Sequence, residues 1–574
     1  MRCLTLLSTA FCLLVSGPLP SAAAQESTPK GEIEVDVRQP LQSLSLSTGF
    51  YPIVIEINNQ SDIEHHLSIR IVRSHDNVLL VGTTLVVSSG ERSEVELPVQ
   101  VNQGGGASLI IESDAIGEIN KSFLNTPQFT GGVSGNPTLF LMNEGEGADL
   151  MSNRGIDTSI RGGRILQPES CPVRWVSLTG LNCVCLTFDG FKTLDAVRRR
   201  AVLRYAESGG HLLICNADSD AATVIVELLD LDPPTTANEA RPSHRYGLGW
   251  VIIDDAPPHS MESPDHPTLT SIITELRATG PRMSFLRVMP KLHLPGIETV
   301  PARSFIVIVA LFALLIGPIN FYVLTRKKKR TLALMTIPLI SIVATISLAT
   351  YSFAFEGVNA KIVPRTVTHL DQRRHRYSQV ANVGVFSGIL TNGMSFSSEV
   401  APFPTGFEQL DSWQSRPLPV SWDGGTQLAQ SWLPSRTATE FLLARNGPCR
   451  KRLIFQQDSD GEVTVGNALG VRLEKLFFCL GGKNYFTEPI DREETATARE
   501  YLRGTVEWDD VTDGISDALL DRPQPIFGLL QLELQPGRYI GRTGKAIINS
   551  WGLNEPEVLD GVNILTGRFD LEEK

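Results

Sequence analysis

Ser304–Leu324 reads SFIVIVALFALLIGPINFYVL, Thr325–Arg330 reads TRKKKR, and Thr331–Phe355 reads TLALMTIPLISIVATISLATYSFAF. Each apolar run is about 20 residues long, enough for a helix to cross a hydrocarbon core of about 30 Å. Between them stand the consecutive basic residues Arg326, Lys327, Lys328, Lys329 and Arg330. Short basic loops stay on the cytoplasmic side. Residues 303–355 therefore read as a transmembrane hairpin, with spans at about 304–324 and 332–354 and a cytoplasmic loop at 325–331. Neither span carries a charged side chain, which argues against a transporter or a proton relay. The loop is too short to hold a folded domain, so a receptor with its own output domain is disfavoured. Gly317-Pro318 predicts a kink in the first span. Asn320 lies near the inner interface. Its amide either pairs with the second helix or a partner span, or reaches toward the lipid headgroups.

The N-terminus agrees with this topology. Arg2, an apolar run Cys3–Val15 and the small residues Ala22-Ala23-Ala24 make residues 1–24 a signal peptide pattern; an uncleaved anchor is the alternative. With cleavage, residues 25 onward are exported and both large soluble parts share the extracytoplasmic side. A hydrophobic fraction of 42% and a mean hydropathy of +0.00 fit globular domains with a short membrane part. The net charge is −12, and the dense basic cluster belongs to the membrane loop. That disfavours nucleic acid, which needs a basic face. The partners implied are the lipid bilayer and a protein or cell-envelope component.

Eight cysteines include Cys3 and Cys12 in the leader. Cys171, Cys183, Cys185 and Cys215 precede the hairpin, and Cys449 and Cys479 follow it. Even numbers in exported parts permit disulfides, with the pairing open, and buried free thiols are an equal reading. Cys183 and Cys185 are two apart on an expected strand, so they share a face.

Residues 25–130 read as an immunoglobulin-like β-sandwich. Ile53, Ile55 and Ile57 alternate with other residues, as do Leu67, Ile69 and Ile71, and turn residues fall between the runs. Residues 131–256 read as an α/β domain. Cys183–Phe188 (CVCLTF) is a strand, Leu194–Glu207 a helix capped by Thr193 and ended by Gly209-Gly210, and His211–Cys215 (HLLIC) the next strand. That succession is a βαβ unit with a parallel sheet. A further helix is expected at about Ala221–Leu229. Residues 257–302 read as a linker or irregular segment. Residues 356–574 read as a β-rich extracytoplasmic domain. It holds a hairpin at Phe477–Phe486 turning on Gly481-Gly482, a strand at Phe527–Leu534 and a helix at Asp491–Leu502.

The helix that ends in Glu207-Ser208-Gly209-Gly210 and runs into His211-Leu212-Leu213-Ile214, together with Gly317-Pro318-Ile319-Asn320 late in the first span, resembles a group of uncharacterised bacterial envelope proteins. Those carry a signal peptide, a β-sandwich, a Rossmann-like domain related to class I glutamine amidotransferases, a membrane part and further β structure. The resemblance implies a multi-pass protein of the bacterial inner (cytoplasmic) membrane, and no defined reaction.

Cys215 is the sharpest enzymatic candidate, since it ends a strand where such domains place a thiol nucleophile. Its surround, Ile214-Cys215-Asn216-Ala217-Asp218, lacks the small flanking residues of that turn. A thiol also needs a base. His244, His259 and His266 lie downstream, without the family's His-x-Glu spacing. A core thiol or a disulfide partner is the competing reading. Asp218-Ser219-Asp220 fits a helix cap better than a cation site. Asp458–Glu462 begins like a calcium loop but lacks the late Glu, so it reads as a hairpin turn. Ser27 and Lys30 match a Ser-Lys pair by spacing alone. No motif reaches zinc-site spacing, and no cofactor is implied. The reading is a non-enzymatic, membrane-anchored extracytoplasmic scaffold or binding protein; the alternative is a hydrolase or amidotransferase-like enzyme using Cys215.

Overall fold

The computed structural model describes residues 33–41, 49–74, 77–100, 106–113, 117–125, 138–142, 163–231, 234, 243–257, 302–327, 332–356, 359–388, 393–405, 420–423, 426–428, 432–502, 506, 511 and 534–571. The leader, Ser27, Lys30, His259, His266, Lys328, Lys329, Arg330 and nearly all of the expected linker and of the strand at 527–534 lie outside the described residues. The chain is mostly β-strand, arranged in several sheets, with few helices.

Alternation of apolar and polar residues sets the first seven strands. They are β1 (Ile33–Arg38), β2 (Phe50–Asn59), β3 (His65–Arg73), β4 (Leu79–Val87), β5 (Arg92–Gln100), β6 (Gly106–Ser113) and β7 (Gly117–Asn125). One antiparallel sheet has the order β1-β2-β5, and β4-β3-β6-β7 run side by side in another. Ile53, Ile55 and Ile57 from the first join Leu67, Ile69 and Ile71 from the second in one core. Asn59 locks the turn after β2. Its buried amide donates to the carbonyls of Ile63, Val87 and Ser88 at 2.8, 3.2 and 2.9 Å.

The α/β unit contains β8 (Thr138–Leu141), β9 (Gly163–Leu166), β10 (Cys183–Thr187), α1 (Phe188–Thr193), α2 (Ala196–Glu207), β11 (His211–Cys215), α3 (Ser219–Leu228), β12 (Ser243–Tyr246) and β13 (Gly249–Ile253). The sheet order is β9-β8-β10-β11-β13-β12, parallel except for β12. Every residue of β10 and β11 is buried, as parallel strands covered on both faces require. The helix after Leu194 is capped differently from the expectation. Asp195 accepts from the backbone N–H of Val197 and Arg198 at 2.9 and 2.8 Å, while Thr193 closes α1 by donating to the Gly190 carbonyl. A carboxylate with two donors in reach outcompetes the threonine hydroxyl. At its other end α2 stops in a Schellman turn. The N–H of Gly210 reaches the Tyr205 carbonyl at 3.0 Å, that of Gly209 reaches Ala206 at 3.1 Å, and Gly209 has φ +119°.

The apolar stretch forms α4 (Ala302–Leu314), a π turn at Leu315–Ile319, α5 (Asn320–Arg326) and, after the loop, α6 (Ala333–Glu356). Among the described residues, Val309–Arg326 is long and apolar enough to cross a membrane, and Ala333–Leu348 is a shorter apolar stretch. Pro318 sits inside the π turn. The wider turn takes up the missing N–H and the ring, so the helix runs on through it.

Beyond the helices come β14 (Lys361–Asp371), β15 (Arg376–Phe386), β16 (Met394–Phe396), β17 (Val400–Thr405), β18 (Val420–Ser421), β19 (Thr426–Leu428), β20 (Thr439–Pro448), β21 (Arg452–Gln457), β22 (Val463–Ala468), β23 (Leu473–Leu480), β24 (Lys483–Thr487), β25 (Thr495–Thr497), β26 (Arg499–Glu500), β27 (Arg538–Thr543), β28 (Glu557–Val558) and β29 (Val562–Arg568). Most build one large sheet in the order β17-β20-β15-β14-β29-β27-β23-β24-β26. The hairpin β23–β24 turns on Gly481 and Gly482, both at positive φ, the backbone a two-residue turn demands. The Asp458–Glu462 segment is likewise a turn, between β21 and β22.

The helix expected at Asp491–Leu502 is instead a turn followed by β25 and β26. Thr495 and Thr497 are β-branched, and β25 completes the edge of β22. Tertiary pairing outweighs the acidic start that suggested a helix.

Candidate functional site

Alternation along the parallel strands sorts the cysteines. Val184, Leu186, Leu212 and Ile214 face the main core with Val202 and Tyr205 of α2. Cys183, Cys185 and Cys215 face the other way, into a cluster with Phe140, Met142, Leu213 and Ile252. The two expected face-mates, Cys183 and Cys185, do share a face. Cys215 is 0% exposed, and its Sγ lies 3.5 Å from the Sγ of Cys185. All six cysteines after the leader are thiols. Cys185 is level with Leu213, and Cys215 with Thr187. The contact is a hydrogen bond between thiols. It pushes the Cys185 thiol well above its ordinary range, with burial adding to the effect. Burial does the same to Cys183. A nucleophile must be open to substrate, and Cys215 in this apolar cluster is not. Asp218 caps α3 by accepting from the Ala221 N–H at 2.8 Å.

In the apolar stretch, the Thr336 hydroxyl of α6 donates to Asn320 Oδ1 of α5 at 3.1 Å. Of the two readings of Asn320, this is the pairing with the second helix. Gly317 has open space where a Cβ would stand, so it serves the π turn rather than a close helix contact. Arg326 ends α5 and Lys327 caps it.

The feature that sequence reasoning missed is the joint between the parts before and after the helices. β18 pairs in parallel with β4, Val420 with Val81 and Ser421 with Gly82. The second sandwich sheet thereby becomes β16-β19-β18-β4-β3-β6-β7, three of whose strands follow the apolar stretch. Asp423 clasps this seam. Its Oδ1 accepts from the Thr84 N–H at 2.6 Å and the Thr83 hydroxyl at 3.0 Å. Trp422 donates its indole N–H to the Pro98 carbonyl at 3.2 Å and meets Phe50 edge to face.

A second seam joins the α/β unit to the large sheet. Arg376 grips Glu207 with two bonds of 2.6 Å. The Glu207 side chain is only 5% exposed, so its charge is tolerated because the guanidinium pairs with it. That bond also raises the Arg376 pKa. Arg568 reaches Asp371 at 3.0 Å and Asp230 at 2.5 Å. Arg204 pairs with Glu399, and Asn446 donates to Ser208 Oγ at 2.6 Å. Only folding reveals these pairs, because their members lie far apart along the chain.

No protein-family model matches this chain, and no curated protein matches it. Solved structures that align in part include a Paenibacillus sp. cycloisomaltooligosaccharide glucanotransferase, at 12% identity over 32% of this chain, with a TM-score of 0.16. The chain spans 27% of that enzyme's length. The yeast delta-COP-I mu-homology domain aligns at 7% identity over 38% of this chain and 98% of its own, with a TM-score of 0.17. Bacteroides uniformis β-glucuronidase aligns at 10% identity over 34% of each chain, with a TM-score of 0.15. Likeness at this level carries no argument about fold or function.

Proposed function

We propose that the chain is a membrane-anchored extracytoplasmic scaffold or binding protein of the bacterial envelope, held in the inner membrane by a two-helix hairpin. The observation that carries this reading is the joint. A single crossing would put residues 33–253 and 361–571 on opposite sides of the bilayer. Neither the pairing of β18 with β4 nor the Arg376–Glu207 clamp forms across a membrane. In this reading the chain crosses twice, with α6 as a second span beside α4–α5. Its 24 residues rise about 36 Å as a helix, longer than a hydrocarbon core of about 30 Å. The basic loop then faces the cytoplasm, and the joined β-rich body faces outward.

The α/β unit reads as Rossmann-like and amidotransferase-related. Its parallel strands, numbered within the unit, follow the order 2-1-3-4-5, which is a doubly wound order. The burial of Cys215 supports a unit kept for its shape rather than for thiol chemistry. Its work is then to bind a protein or cell-envelope partner.

Topology is the test. Ile63 is 55% and Leu502 88% exposed. Single cysteines at these positions, in a chain whose Cys449 is serine, should both react with a membrane-impermeant maleimide from outside. A cysteine at Lys327 should react only after the membrane is opened. Labelling of I63C and L502C from opposite sides would overturn the reading.

A further inference from the structure

The geometry points to a binding site for a neutral sugar at the β23–β24 edge of the large sheet. A cavity of about 710 Å³ opens there, within the range of about 300–1,000 Å³ usual for ligand sites. Phe477 and Phe486 are a cross-strand pair, so their rings stand on one face of the sheet. Arg499 pairs with Phe486, and Tyr501, two residues further on, returns to that same face. Phe477 and Tyr501 meet at 5.3 Å and 79°, and Phe486 and Tyr501 at 6.2 Å and 76°. The two phenylalanine rings lie within 31° of parallel, so Tyr501 stands as a wall to them. Phe477 is buried, while Phe486 and Tyr501 are partly exposed. Such a corner of rings, held by edge-to-face packing, is a preformed surface for a flat group that offers C–H bonds.

Ion pairs frame the rings. The strand register slips between Leu473 and Lys475, and Glu474, the residue in the slip, accepts from Arg542 Nε at 2.7 Å. A bulge of this kind re-aims a side chain. Arg542 lies opposite Lys475, which is two residues from Phe477, so this pair shares the face of the rings. At the outer edge Glu488, two residues beyond Phe486, lies 3.9 Å from Arg499. Arg472 pairs with Asp491 at 3.5 Å, and Lys475 is also engaged.

This pairing decides the ligand class. An ion gains little from a wall whose charges cancel. A wholly apolar ligand would strip water from the pairs at a cost. A sugar ring meets both halves of the site. Its C–H face lies on the rings, and its neighbouring hydroxyls donate to a carboxylate and accept from the guanidinium beside it. Hydrogen bonds to charged groups are the stronger kind, and a guanidinium has more donors than a single carboxylate contact uses. The site gives the proposed binding role a partner class. Labelling tests the topology and titration tests the groove, so one can fail while the other holds.

The test is titration calorimetry on the full chain, in micelles of a detergent without a sugar headgroup. The probes are cellotriose, maltotriose and triacetylchitotriose, with N-acetylphenylalanine amide as the peptide-like alternative. At least one trisaccharide should bind saturably. Its affinity should hold from low to high salt, because no net charge is used. Y501A should lose about tenfold in affinity with an unchanged melting curve. If Y501A melts lower, Glu488→Ala at its exposed position carries the test, with a loss of about threefold. Four results would overturn the site. They are no saturable binding by any trisaccharide, affinity that collapses at high salt, tighter binding of N-acetylphenylalanine amide than of every trisaccharide, and undiminished binding by Y501A or, where Y501A melts lower, by Glu488→Ala.

Discussion

Glu96 lies on β5 but works on the α/β unit. Its carboxyl accepts from the N–H groups of Val173 and Arg174 at 2.7 and 3.2 Å and from the Ser177 hydroxyl at 2.6 Å. Burial raises its pKa above the ordinary value in spite of these donors. A carboxyl raised on folding adds stability that is complete below its unfolded pKa. That stability is lost as pH rises through the folded value. Glu96 therefore contributes a fall in melting temperature with rising pH across the acid range, and Glu96→Gln should remove that contribution, seen as a changed slope relative to the parent. An equal slope in both proteins would remove the idea. Cys215 is the other test at this scale. In the native chain a thiol reagent should modify Cys183, Cys185 and Cys215 only as fast as the chain opens; rapid labelling of Cys215 would reopen the enzymatic alternative. The shared face of the cysteines was legible from strand period alone. The role of Glu96 was not, because its partners stand 77 to 81 residues away.

Elements whose signals are local follow the sequence closely. The double-glycine hairpin, the Asp218-capped helix and the glycine stop of α2 each depend on residues within a turn of one another. The segment at Asp491–Leu502 departs from it because a distant strand edge decides its backbone. The helix pair lies between these cases. Its length and apolarity are visible in the sequence, but the partner of Asn320 depends on how the helices meet. A double-mutant cycle on N320L and T336V, followed by unfolding in mixed micelles, should show a coupling of about 0.6 kcal/mol. Zero coupling would mean that Asn320 faces something other than Thr336.

At the scale of the molecule, the chain folds back on itself across its own apolar helices. The Thr83 and Asp423 that meet at the seam are 340 residues apart, and nothing near either residue announces the other. β18 is only two residues long, too short to register as a strand by pattern. Without residues 394–428, β4 is an open edge, which invites wrong pairing between chains. Without the large sheet, the carboxylates of Glu207 and Asp230 lose Arg376 and Arg568. Residues 25–300 expressed alone should thus be poorly soluble. Co-expression with residues 357–574 as a separate chain should yield a soluble one-to-one complex. Arg376→Ala in the second chain should weaken that complex, while the R376A/E207A pair should recover part of the loss, since no buried charge is then left alone. A 25–300 fragment that is monomeric and melts like the full chain would show that the halves fold independently, and the case for two crossings would lose its ground.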